Sequence, residues 1–216
     1  MKNHRFDAEY FHCVYKNYDL QNPPTKMAFY CKLVEEVTTR NQFVLDVGCG
    51  LGNFLSKLHP HYKCFGIDTS NYAISQAKQK NPEISSNLVQ SDIEKIPFNH
   101  SFDIITAFDV IEHIEDLSKV INAVKSNLSP SGHFIFSVPV YDGPTGLLIK
   151  IMDKDPTHVH KKSRNFWLYW AEKYFLIKKW RGIYRFLFPG GYYLHLPTKL
   201  LRNYAPAMVV VCQNTD

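Results

Sequence analysis

Apolar positions recur at helical spacing through the first forty residues. Phe6, Tyr10, Phe11, Val14, Tyr15 and Tyr18 trace one stripe, which predicts a helix. Pro23-Pro24 interrupts it, and Thr25 reads as the cap of a second helix carrying Met27, Tyr30, Cys31, Val34 and Val37. From Gln42 the pattern changes to short apolar runs separated by amphipathic stretches. The runs Phe43–Val47, Tyr62–Ile67, Asn87–Ser91, Phe102–Phe108 and His133–Val138 predict five buried strands. Between them, Gly52–Leu58, Asn71–Lys80 and the face Leu117, Val120, Ile121, Val124 and Leu128 predict helices. Pro139, Gly143, Pro144, Gly146 and Pro156 then halt the alternation around a small apolar patch, Leu147–Met152. Ser163 reads as the cap of a helix with Trp167, Trp170, Ala171 and Tyr174 on one face, a stripe that reads as core. Phe175–Arg185 and Met208–Cys212 predict two last strands, joined by an aromatic loop from Phe186 to Tyr204.

Hydrophobic strands alternating with helices specify an α/β, doubly wound, mostly parallel sheet of seven strands covered on both faces. Ligands of such sheets bind beyond the carboxyl ends of the strands, so chemistry is sought there.

Composition narrows the class. The chain has 216 residues, 45% hydrophobic and 21% charged, which excludes general disorder. One domain is expected, with residues 1–40 as a helical lid, 41–138 as one half and 139–216 as another. The net charge of +5 is unevenly placed: residues 1–138 hold 13 basic and 15 acidic side chains, whereas 139–216 hold 12 basic and 5 acidic, plus all three tryptophans. The polar start MKNHRFDAEYF lacks the apolar region of a secretory signal. Five scattered cysteines without a CxxC read as reduced thiols, so a cytoplasmic location is expected.

The strongest chemical signal is Asp46-Val47-Gly48-Cys49-Gly50-Leu51-Gly52, a strand running through an acid into three alternate glycines and a helix. Glycines let the backbone turn tightly and approach a ligand. The dinucleotide fingerprint GxGxxG would need glycine where Asn53 stands. Asp46 suits a cationic group, such as an ammonium or sulfonium, better than a pyrophosphate.

On these residues the sequence resembles the class I S-adenosylmethionine-dependent methyltransferases, which have a Rossmann-like seven-stranded sheet with a C-terminal antiparallel strand. The first motif is matched by Asp46, Gly48, Gly50 and Gly52, and the second by Asp68 after the second strand, with Thr69 beside it. The third is matched by Asp92-Ile93, and the fourth by the strand through Ala107 to Asp109. The resemblance implies that Asp68 accepts the ribose hydroxyls, that Asp92 accepts from the adenine amino group and that the Ile93 N–H donates to the ring. It also implies an N-terminal aromatic helix closing over the cofactor with Tyr10 and Tyr18. The tail Asp109-Val110-Ile111-Glu112-His113 and the stretch Asp155-Pro156-Thr157-His158-Val159-His160 look like the small-molecule group that includes quinone-biosynthesis O-methyltransferases.

The implied activity is transfer of a methyl group from S-adenosyl-L-methionine to a small-molecule acceptor, with S-adenosyl-L-homocysteine as product. An aromatic or lipid-like oxygen is the expected target. Asp109, His113, His158 and His160 are the candidates for a general base. His158 and His160 lie two apart and face one side if the segment is extended. Together with Asp153 or Asp155 they would be a metal set, but no metal is assigned. Glu112 reads as solvent-facing. Lys161, Lys162, Arg164, Lys178, Lys179, Arg181 and Arg185 read as a solvated basic face, suited to an anionic or lipid-like acceptor and to peripheral membrane contact near Leu147–Met152. Two alternatives stay open: an RNA methyltransferase gripping with the basic aromatic third, and a nicotinamide-dependent oxidoreductase. A monomer and a homodimer are both compatible with the chain.

Overall fold

A computed structural model describes residues 18–144, 146–153, 155–188 and 192–215. The expected helix over residues 6–17, Tyr10 included, lies outside the described residues. Helix α1 spans Tyr18–Gln21 and α2 spans Pro24–Glu35. Thr25 does not cap α2: Pro23 precedes the first turn and Pro24 opens it. Proline suits that place because its φ is already helical and an N–H there has no helical acceptor.

Eight strands form one sheet in the order β3-β2-β1-β4-β5-β8-β6-β7. They are β1 (Phe43–Val47), β2 (Lys63–Asp68), β3 (Leu88–Gln90), β4 (Phe102–Phe108), β5 (Leu128–Pro139), β6 (Leu176–Leu187), β7 (Tyr193–Thr198) and β8 (Ala207–Gln213). The first five are mutually parallel, and β8, β6 and β7 add on antiparallel. The expected count of seven is therefore corrected to eight. The extra strand, β7, lies inside the predicted aromatic loop and folds back on β6 as a hairpin, with Leu187 opposite Tyr193 and Gly182 opposite Thr198. An edge strand covered on one side needs no continuous apolar run, so Tyr193–Thr198 with its proline does not stand out in sequence.

Alternation in the strands loads both faces. Val44, Ile104, Ile135, Val209 and Val211 pack with α2, α3 (Asn53–Leu58) and α4 (Asn71–Lys80). Leu45, Val47, Ile105, Phe134, Phe136 and Val210 pack with α5 (Leu117–Asn127) and α7 (Arg164–Glu172). Trp167 and Trp170 belong to this second layer, as their stripe predicted. Between β5 and α7 lies the short helix α6 (Gly146–Met152), where Ile151 is exposed. Among the described residues no helix is long and apolar enough to cross a membrane.

Candidate functional site

The glycine loop sits between β1 and α3, at the carboxyl edge of the parallel strands. Gly48, Gly50 and Gly52 all have positive φ, at 71°, 53° and 77°. A Cβ on Gly50 would lie 2.4 Å from the Tyr18 hydroxyl, so at this position only glycine admits the approach of α1. The same hydroxyl accepts the Leu51 N–H at 3.2 Å. Tyr18 thus stands directly on the loop.

Asp68 ends β2 beside it. One carboxylate oxygen accepts the Gly50 N–H at 2.9 Å and the other accepts the Ser70 N–H at 2.8 Å. Burial raises its pKa against these two bonds. Asp46, in β1, is buried and accepts the Thr106 hydroxyl at 2.7 Å. Burial, aided by the charge on Asp68, lifts its pKa to about 7. A buried and a half-buried carboxylate at one loop form a site that a cationic ligand relieves.

Other expected cofactor contacts have mixed surroundings. Thr69 is exposed, and its carbonyl accepts Gln90 Nε2 at 3.0 Å. Asp92 is exposed and caps a short 3-10 turn, Ile93–Lys95, by accepting the Glu94 N–H at 3.1 Å. Ile93 and Ala107 are buried in the second apolar layer, so their side chains serve packing. Ala107 pairs with Val47 and Phe136 within the sheet.

The end of β4 carries the second group of charges. Asp109 adopts a φ of 57°, unusual for a residue with a Cβ. Its carboxylate receives Arg185 Nη1 at 2.6 Å and the Ser137 hydroxyl at 3.1 Å, with Lys26 Nζ at 3.8 Å. Burial alone would raise Asp109, but Arg185 and Lys26 outweigh it and hold the carboxyl well below its usual range. Burial in turn lowers Lys26 to about 8. Arg185 is therefore not part of a solvated face. Lys161, Arg164, Lys179 and Arg181 are likewise engaged, with Asp153, Asp142 and, for the last two, Glu36.

The turn Ile111–His113 follows. Glu112 is fully buried, not solvent-facing, and neither of its carboxylate oxygens has a hydrogen-bond partner. Burial and nearby Asp109 push its pKa well up. Its main-chain carbonyl accepts the N–H groups of Val159 and His160, both at 3.1 Å. This clamp brings His158 against His113, ring centroids 4.7 Å apart. Burial and His158 lower His113 to about 4, so its ring is neutral at pH 7.

His158 and His160 do not share a side. His158 Nδ1 faces Asp153, 3.0 Å from each oxygen, whereas His160 Nε2 points to the Ile114 carbonyl at 2.9 Å. The consecutive N–H groups of Val159 and His160 converge on that one Glu112 carbonyl, so the chain between the two histidines is not extended as the spacing assumed. Candidate metal ligands come together as Glu112, His113 and His158, with one ligand atom of each within 4.8 Å of the others. Sequence reading missed Glu112 as a candidate ligand, Lys26 beside Asp109, and Tyr141, whose hydroxyl donates to Asp153 at 2.6 Å. The motif tail singles out Glu112, but no local pattern marks Lys26 or Tyr141.

Residues 38–193 match the family model "Methyltransferase domain", nearly three quarters of the chain. The chain belongs to that methyltransferase family, and its cofactor is S-adenosylmethionine. The nicotinamide alternative falls with that result. Among its relatives is "Nodulation protein S" of Sinorhizobium fredii, 35% identical over 97 residues, 43% of this chain and 45% of that one. The "Ubiquinone biosynthesis O-methyltransferase" of Coxiella burnetii is 32% identical over 107 residues, 48% of this chain and 46% of that one. The chain thus matches less than half the length of these two relatives. The fold is shared with the N-methyltransferase NodS of Bradyrhizobium japonicum, solved with S-adenosyl-L-homocysteine: TM-score 0.64, 17% identity, 92% of each chain covered.

Proposed function

We propose that this protein transfers the methyl group of S-adenosylmethionine to an oxygen of a small-molecule acceptor. The observation that carries the reading is the pairing of two neighbouring groups at one sheet edge. Buried Asp46 and half-buried Asp68 flank the glycine loop, and Asp109, Glu112, His113 and His158 gather after β4. The relative named as an O-methyltransferase supports oxygen as the target.

In this reading Asp68 holds the ribose, and Asp46 favours the cationic end of the cofactor. The sulfonium is already activated, so the protein holds donor and acceptor in line and excludes water, a contribution of about 7–11 kcal/mol. The C–S bond breaks as the O–C bond forms, with its electron pair passing to sulfur. The acceptor's proton leaves toward the histidine cluster, a base being worth roughly 10²–10⁴ in rate.

The test is incubation with methyl-labelled S-adenosylmethionine and parallel panels of phenols, alcohols and amines, with products read by mass spectrometry. Turnover of hydroxyl compounds supports the proposal. Turnover confined to amines overturns the oxygen assignment.

A further inference from the structure

We infer that Lys26 and Arg185, beside Asp109, form a binding site for a carboxylate carried by the methyl acceptor. The inference rests on the proposed function, since it sets that acceptor beside the methyl donor.

Three segments meet at this point. Helix α2 brings Lys26, the residue after β4 is Asp109, and β6 brings Arg185. The β6–β7 hairpin adds Tyr193 and His195. Lys26 Nζ lies 5.6 Å from the centre of the Tyr193 ring and 6.0 Å from that of Tyr30. The His195 ring packs 5.4 Å from Phe29 and 5.7 Å from Tyr30. Aromatic side chains thus wall a cationic cluster. The cluster borders the glycine loop: Val110 follows Asp109 and packs on Gly48, where a Cβ would collide with it.

The charges of the cluster do not balance. Asp109 is one anion against two cations, and both its oxygens are taken. Arg185 Nη1 donates to one at 2.6 Å and the Ser137 hydroxyl to the other at 3.1 Å. Donors are left over. Among the described residues Arg185 engages Nη1 alone, so the rest of its planar fork has no partner. Lys26 Nζ lies 3.8 Å from Asp109, beyond hydrogen-bond reach, and donates to Asn22 Oδ1 at 3.1 Å and the Gln21 carbonyl at 3.4 Å. Neighbours do not supply the missing charge. Burial pushes Glu112 toward its neutral form and raises the phenols of Tyr30 and Tyr193. His195 registers the surplus: burial, then Lys26 and Arg185, lower its pKa to about 3, and among the described residues neither ring nitrogen has a hydrogen-bond partner.

A surplus cation held away from water is costly until it is paired. One carboxylate cancels one charge, and its two oxygens match a guanidinium fork. The amino-acid end of the methyl donor carries an ammonium next to its carboxylate, so its charges cancel and leave the surplus in place. The side chains of Asp109 and Arg185 remain 20% and 21% exposed, so a small acid reaches the pair from solvent. The turn that starts after Asp109 ends at His113, so an acceptor anchored here extends its hydroxyl toward the histidines.

The test uses the full chain saturated with S-adenosyl-L-homocysteine. Hydroxybenzoates and hydroxylated aliphatic acids are titrated beside their methyl esters, with binding read by ligand-observed NMR. Acids are expected to bind roughly tenfold or more tightly than their esters, the usual worth of charged hydrogen bonds. Arg185→Gln is expected to remove that preference and leave S-adenosyl-L-homocysteine affinity unchanged. Lys179→Gln, at a basic residue paired with Glu36, is expected to keep it. Should Arg185→Gln unfold because Asp109 loses its partner, Arg185→Lys retains the charge without the fork and is expected to diminish the preference. Esters bound as tightly as acids throughout, or an undiminished acid preference in the folded Arg185 variant, overturns the proposal. A parallel loss of S-adenosyl-L-homocysteine affinity in that variant also overturns it, because the cluster would then serve the cofactor. Failure of the wild type to bind S-adenosyl-L-homocysteine would instead strike at the methyltransferase reading, and the acceptor site would fall with it.

Discussion

Asp46 shows how one side chain can work against the empty fold. Its pKa rises from 3.8 to about 7 in the folded protein. A carboxyl with a raised folded pKa holds its proton more tightly folded than unfolded, so it costs stability as pH climbs from 3.8 to about 7. The penalty above that window is on the order of 4 kcal/mol. Asp46→Asn keeps an acceptor for Thr106 and removes the charge. At pH 8 the ligand-free variant should resist urea better than wild type, with the gap vanishing near pH 4. The same variant should bind S-adenosylmethionine more weakly. Equal urea midpoints at both pH values would show that Asp46 is not a stored cost. Asp68→Ala is expected to weaken S-adenosyl-L-homocysteine binding at least tenfold in calorimetry with little change in melting temperature, because two backbone N–H donors lose their acceptor near solvent. Unchanged affinity would remove Asp68 from the ribose role.

The elements vary in how openly their sequences announce them. Helix α7 is plain: the Ser163 side chain accepts the Phe166 N–H at 3.2 Å, and Trp167 and Trp170 fall on the buried face. Ser163→Ala should cost about 1 kcal/mol by denaturant unfolding, the usual value of a cap. A loss below a few tenths would mean that packing alone sets the start of α7. Strand β5 is less plain. It begins at Leu128, where Ser129-Pro130-Ser131-Gly132 reads as a helix terminator, and a register shift between Phe102 and Ile104 absorbs the irregular start. Strand β7 is invisible locally, because its support comes from hydrogen bonds to β6.

For the molecule as a whole, part of the basic charge of residues 139–216 is used internally: among the described residues, Lys161, Arg164, Lys179, Arg181 and Arg185 pair with acids. Arg164 is the clearest case. Buried at 6% exposure, it bonds Asp142 and the carbonyls of Asn203 and Ala205, tying α7 to the approach to β8. Arg164→Met should destabilise the protein by about 2–4 kcal/mol, since three acceptors lose a charged donor. A melting temperature within a degree of wild type would contradict that role. Arg185, Lys179 and Arg181 reach across the sheet edge to acids of the first half. The charge split in the sequence is thus partly an assembly device, joining residues 139–216 to Glu36 and Asp109 of the earlier part of the chain.

Local pattern was enough for the doubly wound core, the glycine loop and the acids at the strand ends. Strand periodicity, helix caps and the need for positive φ act within a few residues, so Phe43–Asp68 already carries its own instructions. Only tertiary structure decided the chemistry after β4. Lys26, Asp109 and Arg185 come from three distant segments, and the turn that carries buried Glu112 is held through its main-chain carbonyl by the N–H groups of Val159 and His160. Burial and long-range pairing set which groups are charged, which ring nitrogen carries a proton and which atoms face one another. Those quantities depend on the surroundings in space, which the order of residues along the chain does not display.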